Sequence, residues 1–475
     1  MPAAAIRSRC GARVAAVVLS MGSVACGGHA ARTLEIRAAL DAGQPQHALQ
    51  LLNEELGVDS EKQVPDDLDG DQAILLLDRA MVLQQLERFD LSSRDLQIAD
   101  KRVELLDLSH GAMDDLGRYL FSDASGPYRA PAYEKLMINT MNMVNYLIRS
   151  DLSGARVEAR RLAVMQRYLA KSETPGAELS APGSYLAGFA FEKSGQSQEA
   201  LRFYDEALKY GRYRTLAEPV RRLAESATYR SPRIRALLDD GASGSAPDPS
   251  AKPGIDPKAD EASSAPRARD PHEGYGELLV IVNFGRVPAK YAKRIPIGLA
   301  LTYASGAISP TDRGRANALA AQGLVTWINY PELGQSRGAY SVPTFSLDEQ
   351  PQFLEGILAV DREARAAWEG ARGAVVGSAI TRMLARVVAG EAVRQGSGGG
   401  TLGLLLSLGT QATLTATDTP DTRCWATLPA RIAFGRVWVK GGRHRVQLTA
   451  RSIEKAGWVN VPAGGFAAVS LTVLH

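Results

Sequence analysis

The sequence predicts an α+β fold in two parts, a helical solenoid followed by a small mixed, β-rich domain with one long helix packed on it. Three observations carry this prediction. From about residue 34 to residue 238, apolar residues recur at three- and four-residue spacing among Ala, Leu, Arg, Glu and Gln, the pattern of amphipathic helices. Residues 240–273 are rich in Gly, Ala, Ser, Pro, Asp and Lys and show no apolar period, so they read as a flexible linker. Beyond them, apolar β-branched runs bounded by glycines read as strands. A chain of 475 residues also exceeds one ordinary core, which at roughly 100–200 residues per domain implies two or three.

The amino terminus comes first. Arg7, Arg9 and Arg13 precede the apolar residues 14–21, and Gly22, Ser23, Val24 and Ala25 lead into Cys26, the order of an export signal. The apolar run is far short of the ~20 residues that cross a bilayer. Residues 1–25 are therefore expected to be cleaved. Ser23-Val24-Ala25-Cys26-Gly27-Gly28 resembles the bacterial lipobox, with Ser23 where Leu or Val is usual. That resemblance implies a diacylglycerol thioether on Cys26, and Gly27, in place of Asp, implies sorting to an outer membrane, facing the periplasm. Cys10 leaves with the signal and Cys26 is capped, so Cys424 remains as a lone thiol, read as a small buried apolar residue beside Trp425.

Residues 26–239 form the helical part. The clearest unit spans residues 184–210, where Gly188, Phe191, Gly195, Ala200, Tyr204 and Ala207 take the offsets of a tetratricopeptide repeat. Weaker copies centre on Ala48, Ser92 and Ala155. With Ala200 these lie 44, 63 and 45 residues apart, an interrupted solenoid rather than a regular array. Gly126-Pro127 and Pro131 introduce a long helix over 132–149. Tyr128, Tyr133 and Glu134 are candidates for a partner-facing concave surface, or else fix the turn between repeats.

Residues 274–475 form the second part. Residues 277–284, 294–302 and 324–329 read as strands, 352–388 as a helix, and 402–408 as a short apolar element. Residues 430–439 and 444–449 alternate about Lys440-Gly441-Gly442-Arg443 as a hairpin, and a last strand lies near 466–474. Asp421, Arg423 and Trp425 sit on a pre-strand loop, where an acid, a guanidinium and an indole can clamp a glycan or peptide; the alternative is an Arg423–Asp421 pair with Trp425 plugging the sheet.

Charge is uneven. Removal of the signal takes three of 55 basic residues and leaves 52 against 52 acidic ones, yet residues 26–276 hold 31 basic and 39 acidic side chains, while 277–475 hold 21 and 13. Opposite excesses of about eight favour docking between the halves or onto charged partners, unless they are spread over solvated surface. No basic run with interleaved aromatics suggests nucleic acid. The six histidines show no zinc-protease spacing, no Cys-x-x-Cys pair exists, and neither a phosphate-cradling loop nor a nucleophile elbow is present. No metal or cofactor is therefore expected, and no enzyme.

The lipobox, Tyr128-Arg-Ala-Pro-Ala-Tyr-Glu134, Gly276-Glu-Leu-Leu-Val-Ile-Val282 with Pro288 and Arg294-Ile-Pro296, and Asp421-Thr-Arg-Cys-Trp425 with Leu428-Pro429 together resemble a family of bacterial tetratricopeptide-repeat envelope lipoproteins. Cys424 and the long linker depart from its pattern. The resemblance implies an envelope location and a role near curli-type secretion or peptidoglycan-synthase-activator lipoproteins. The expected function is a membrane-anchored, non-catalytic scaffold binding envelope proteins and a cell-wall polymer. Alternatives are an accessory subunit of a secretion or surface-assembly channel, and an envelope glycan hydrolase using Asp421 or Glu134.

Overall fold

The computed structural model describes residues 28–68, 71–105, 128–171, 180–242, 273–321, 327–356, 358–396 and 419–475. Cys26 with the signal segment, most of the expected linker and the apolar run 402–408 lie outside these residues. The helical part opens with a short helix, α1 (His29–Arg32), and continues through four helical hairpins: α2 (Leu34–Asp41) with α3 (Pro45–Glu55), α4 (Gln72–Gln85) with α5 (Phe89–Arg102), α6 (Ala132–Ile148) with α7 (Leu152–Lys171), and α8 (Ser180–Lys193) with α9 (Ser197–Leu208). Two further helices follow, α10 (Ala217–Ser226) and α11 (Pro232–Ala242). A pair of two-residue strands, β1 (Glu104–Leu105) and β2 (Arg129–Ala130), runs parallel between the second and third hairpins.

The four hairpins share one turn. Gly43, Glu87, Ser150 and Gly195 all take positive φ, between 58° and 73°. In each turn the next residue's N–H returns to a carbonyl five residues back: Gln44 to Ala39, Arg88 to Leu83, Asp151 to Tyr146 and Gln196 to Phe191. This is a Schellman ending, which satisfies orphan carbonyls of the first helix. Five residues after each left-handed residue come Ala48, Ser92, Ala155 and Ala200, all fully buried. Those small side chains are the four markers picked out by sequence, and each is the fourth residue of its helix.

The second part is built on a sheet ordered β12-β3-β9-β8, comprising β3 (Tyr275–Phe284), β8 (Leu358–Ala359), β9 (Arg431–Lys440) and β12 (Phe466–Val473). β12 runs parallel to β3, and β9 antiparallel to it. Leu279 and Ile281 of β3 join the helical core with Ile432, Phe434 and Leu474. Their neighbours Leu278, Val280, Val282 and Phe284 face a second sheet, ordered β11-β10-β6-β7, from β6 (Thr344–Leu347), β7 (Gln350–Gln352), β10 (Gly442–Ala450) and β11 (Ile453–Val461). The body therefore has three layers, helices, first sheet and second sheet. Burial on both faces explains why β3 reads as an unbroken apolar run rather than an alternating one.

A satellite core packs beside these layers. There β4 (Lys290–Pro296) and β5 (Trp327–Leu333) pair antiparallel, against α12 (Ile297–Tyr303), α13 (Pro310–Ala321) and the 37-residue α14 (Val360–Gly396). Three expectations are corrected. Residues 294–302 are not one strand, because the chain turns helical after Pro296, and Ile297, Ala300, Leu301 and Ala304 bury one helical face. The helix expected from residue 352 begins at Val360, after β7 and β8 have used Pro351 and the extended residues that follow it. β9 and β10 form no hairpin: Gly441 and Gly442 turn the chain from the first sheet into the second. Gly442 has φ +147°, and a Cβ on Gly441 meets Ala463 backbone at 2.9 Å. β10 pairs instead with β11, a strand the sequence reading missed. Among the described residues no helix is long and apolar enough to cross a membrane.

Two substitutions test this packing in opposite directions. Ser150→Gly relieves a left-handed side chain and is expected to stabilise by about 0.5–1 kcal/mol. Gly188→Ala places a methyl 2.3 Å from the Tyr204 ring and is expected to cost about 1–3 kcal/mol. Urea unfolding of both variants measures each sign.

Candidate functional site

The six residues singled out by sequence, drawn from opposite halves of the chain, meet in one place. Pro131 holds extended backbone ahead of α6 and puts Glu134 in its first turn, where the helix N-terminus favours negative charge. Glu134 accepts hydrogen bonds from the Tyr128 hydroxyl (2.5 Å), the Tyr133 hydroxyl (3.2 Å) and the backbone N–H of Trp425 (3.2 Å). The Trp425 indole N–H donates to the Leu77 carbonyl at 3.0 Å, and Thr427 donates to the Asp78 carboxylate through both backbone and hydroxyl. Arg423 lies 5.7 Å over the Tyr128 ring and pairs with Asp421 at 2.8 Å.

Burial governs the electrostatics. It pushes the Glu134 carboxyl above its usual range, against the Tyr128 hydrogen bond and the Lys290 charge. It raises the Tyr128 and Tyr133 phenols well above theirs, and the Cys424 thiol to about 12. For Asp421, burial is outweighed by the Arg423 guanidinium, which holds the carboxyl below its usual value. Beside this knot, His29 is buried with Nδ1 3.0 Å from Asp71, while its Nε2 finds no partner among the described residues. Burial lowers its pKa from 6.5 to about 4.

The expectation that Tyr128, Tyr133 and Glu134 face a concave surface is therefore replaced. They are 2%, 6% and 1% exposed, Trp425 is 0% exposed, and together they fasten the helical half to the strand half. The other reading, an Arg423–Asp421 pair with Trp425 as a plug, describes the loop as found. A carboxyl raised by burial beside two phenols and a thiol has ingredients that active sites use. Here every one of those groups is spent on its own chain, and none lines the cleft at the start of α13 formed by Ser305, Ile308, Arg313 and Asn317.

A second buried cluster went unread in the sequence. Arg436 of β9 bridges Glu192 of α8 (3.0 Å) and Glu277 of β3 (2.6 Å), and donates to the Tyr204 hydroxyl at 2.9 Å. Lys193 also pairs with Glu277, and Arg222 with Glu192 at 2.5 Å. The guanidinium overcomes the burial of Glu192 and keeps it ionised well below the usual carboxylate range. Its signal was available: a lone charge inside each of two apolar strands needs a partner. The charge contrast between the halves reappears here, because cross-seam pairs mostly set an acid of the helical half against a base of the other: Asp41 with Arg286, Asp71 with Arg423, Glu87 with Lys455 and Glu192 with Arg436.

No family model matches the chain, and no curated protein matches it.

Removing the Arg436 charge leaves two buried carboxylates without their shared cation. Arg436→Met is expected to cost about 3–5 kcal/mol in denaturant unfolding, and adding Glu192→Gln with Glu277→Gln to recover a large part of it. For His29, the folded pKa lies below the unfolded one, so the unfolded chain binds the extra proton first as pH falls. The stabilisation from neutral His29 is complete above pH 6.5 and lost towards pH 4, on the order of 2–3 kcal/mol. Asp78 and Glu134, both raised by burial, slope the opposite way, so the measurement is the difference between wild type and His29→Gln across that window. A difference that stays constant with pH contradicts the assignment.

Proposed function

We propose that the chain is a lipid-anchored envelope protein, held through Cys26 at an outer membrane and facing the periplasm, that acts as a non-catalytic scaffold. The observation that carries this reading is the use made of the polar side chains. Those gathered in the two buried clusters are consumed in joining the halves into one body, and aromatic side chains such as Trp327 and Trp458 are left exposed. The four hairpins, alike in their turns, support reading the helical half as a tetratricopeptide-like solenoid, a platform for a protein partner.

Trp458 on the outer face of the second sheet is 63% exposed, with Arg443 5.3 Å over its ring and Arg445 opposite it across the strands. An indole plane flanked by guanidinium donors suits a cell-wall polymer. A second reading, an accessory subunit of a secretion or surface-assembly channel, draws on the exposed Val157, Val164 and Tyr168, which repeat along α7 and suit a stable assembly. A hydrolase using Glu134 or Asp421 needs a glycan to reach them, and Glu134 is enclosed by its own hydrogen-bond donors.

The anchor is tested by labelling cells with a fatty-acid analogue. Wild type is expected to take up label and sediment with membranes, and Cys26→Ala to lose the label and shift to the soluble fraction. An unlabelled wild type, with Cys26→Ala equally membrane-bound, removes the anchor from the proposal.

A further inference from the structure

The second sheet turns Val446, Leu448 and Val461 inward onto the first, and its other face meets no further layer among the described residues. On that outer face Trp458 of β11 stands directly across from Arg445 of β10, with Ala456 and Asn460 as its outward neighbours along the strand. Arg443, across from Asn460, lies 5.3 Å over the indole and so covers the ring from the Asn460 side. The opposite ring face is turned towards Ala456, an exposed residue whose methyl makes a low floor. Beyond that floor Gln447 Nε2 donates to Glu454 at 2.9 Å, so open polar groups border it. One indole wall over one methyl is the apolar footprint of a single ring, far narrower than the groove that buries a partner helix.

Charge along this face is lopsided. Lys440, Arg443, His444 and Arg445 gather at the Trp458 end. The carboxylates they meet there are Asp348, 2.7 Å from His444 Nδ1 and accepting the Arg445 N–H at 2.8 Å, and Glu349, 3.2 Å from the Arg445 guanidinium. Among the described residues Arg443 meets no carboxylate, and its contact is the indole alone. The end therefore carries a surplus of positive charge, complementary to an anion. A sugar ring lays its C–H bonds on the electron-rich face of an indole, and a guanidinium grips a carboxylate through two parallel N–H donors. Both fittings stand here side by side.

We propose that this face binds a carboxylate-bearing sugar unit of a cell-wall glycan, its ring packed on Trp458 above Ala456 and its carboxylate held by Arg443 and Arg445. The inference deepens the scaffold reading and rests on it for the location at the cell wall. The full chain in detergent is co-sedimented with purified peptidoglycan sacculi, and with the same sacculi after their carboxyl groups have been amidated. Wild type is expected to bind the native form about fivefold more tightly than the amidated one. Trp458→Thr, which keeps a strand-forming residue, is expected to weaken binding to both about tenfold. Arg443→Gln is expected to weaken binding to native sacculi about fivefold and to leave the amidated ones unaffected. Trp458 and Arg443 are exposed, so both variants should unfold at the denaturant concentration of wild type. Wild type that sediments with neither form overturns the cell-wall role together with this site. Binding to native sacculi that survives Trp458→Thr keeps the role and removes it from this face. Binding that needs Trp458 but is equal on both forms and unchanged in Arg443→Gln overturns the acidic ligand.

Discussion

The rest of the molecule is arranged around one strand that has no solvent side. β3 sends Leu279 and Ile281 into the helical core and Leu278, Val280, Val282 and Phe284 into the second sheet. A strand of this kind is stable only when both faces are covered, so the helices and the second sheet are obligatory partners rather than neighbours. The same alternation runs through β9, where Ile432 and Phe434 face the helices and Ala433 and Val439 face the second sheet. Tyr185 of α8 stacks flat on Phe434 at 4.8 Å, and Phe189 meets Phe466 edge-on at 5.3 Å, so aromatic contacts fill the seam between its polar clusters.

Those clusters confer specificity more than stability. Burying Arg436 with Glu192 and Glu277 costs desolvation that their mutual attraction largely offsets, and apolar residues in their place can stabilise as much. What apolar residues do not supply is register. A sheet sliding by two residues along the helices keeps its apolar face inward, but strands Arg436 against leucines and leaves Glu192 alone. Asp78 with Thr427, and Gln84 with Asn283 at 3.2 Å and Thr472 at 3.3 Å, impose the same condition further along the seam.

Much of this was legible in the sequence, and the failures have physical causes. The helical hairpins announced themselves through their small residues at Ala48, Ser92, Ala155 and Ala200, because close helix approach admits few alternatives. β3 was legible as an apolar run, β9 as an alternating one, and β12 as a last strand. The segment 294–302 was not, since a short apolar stretch fits a strand and a helix equally, and Pro296 decides between them. β11 was hidden because it lies at an edge with most of its side chains in solvent, so burial leaves no alternating pattern there. The six candidate residues were read as two separate sets that the fold brings together, and residue type alone does not separate a polar knot between two halves from an open site. The distinction lies in what covers them, and the cover comes from residues almost 300 positions away, as with Trp425 over Glu134.

The parallel pairing of β12 with β3 has a consequence for how the chain reaches this state. Phe466 registers with Glu277 and Val473 with Phe284, while the antiparallel neighbour on the other side, β9, is itself more than 140 residues away in sequence. Closing contacts of such long range is entropically slow, whereas the helical hairpins need only residues a turn apart. During synthesis from the amino terminus, the helices can therefore form first and present a ready template. The central strand, once made, can lay one face on that template, but its other face stays uncovered until the second sheet forms, and one edge stays unpaired until the last eight-residue strand arrives. In that interval the chain is most prone to aggregate, and its need for a chaperone should be greatest.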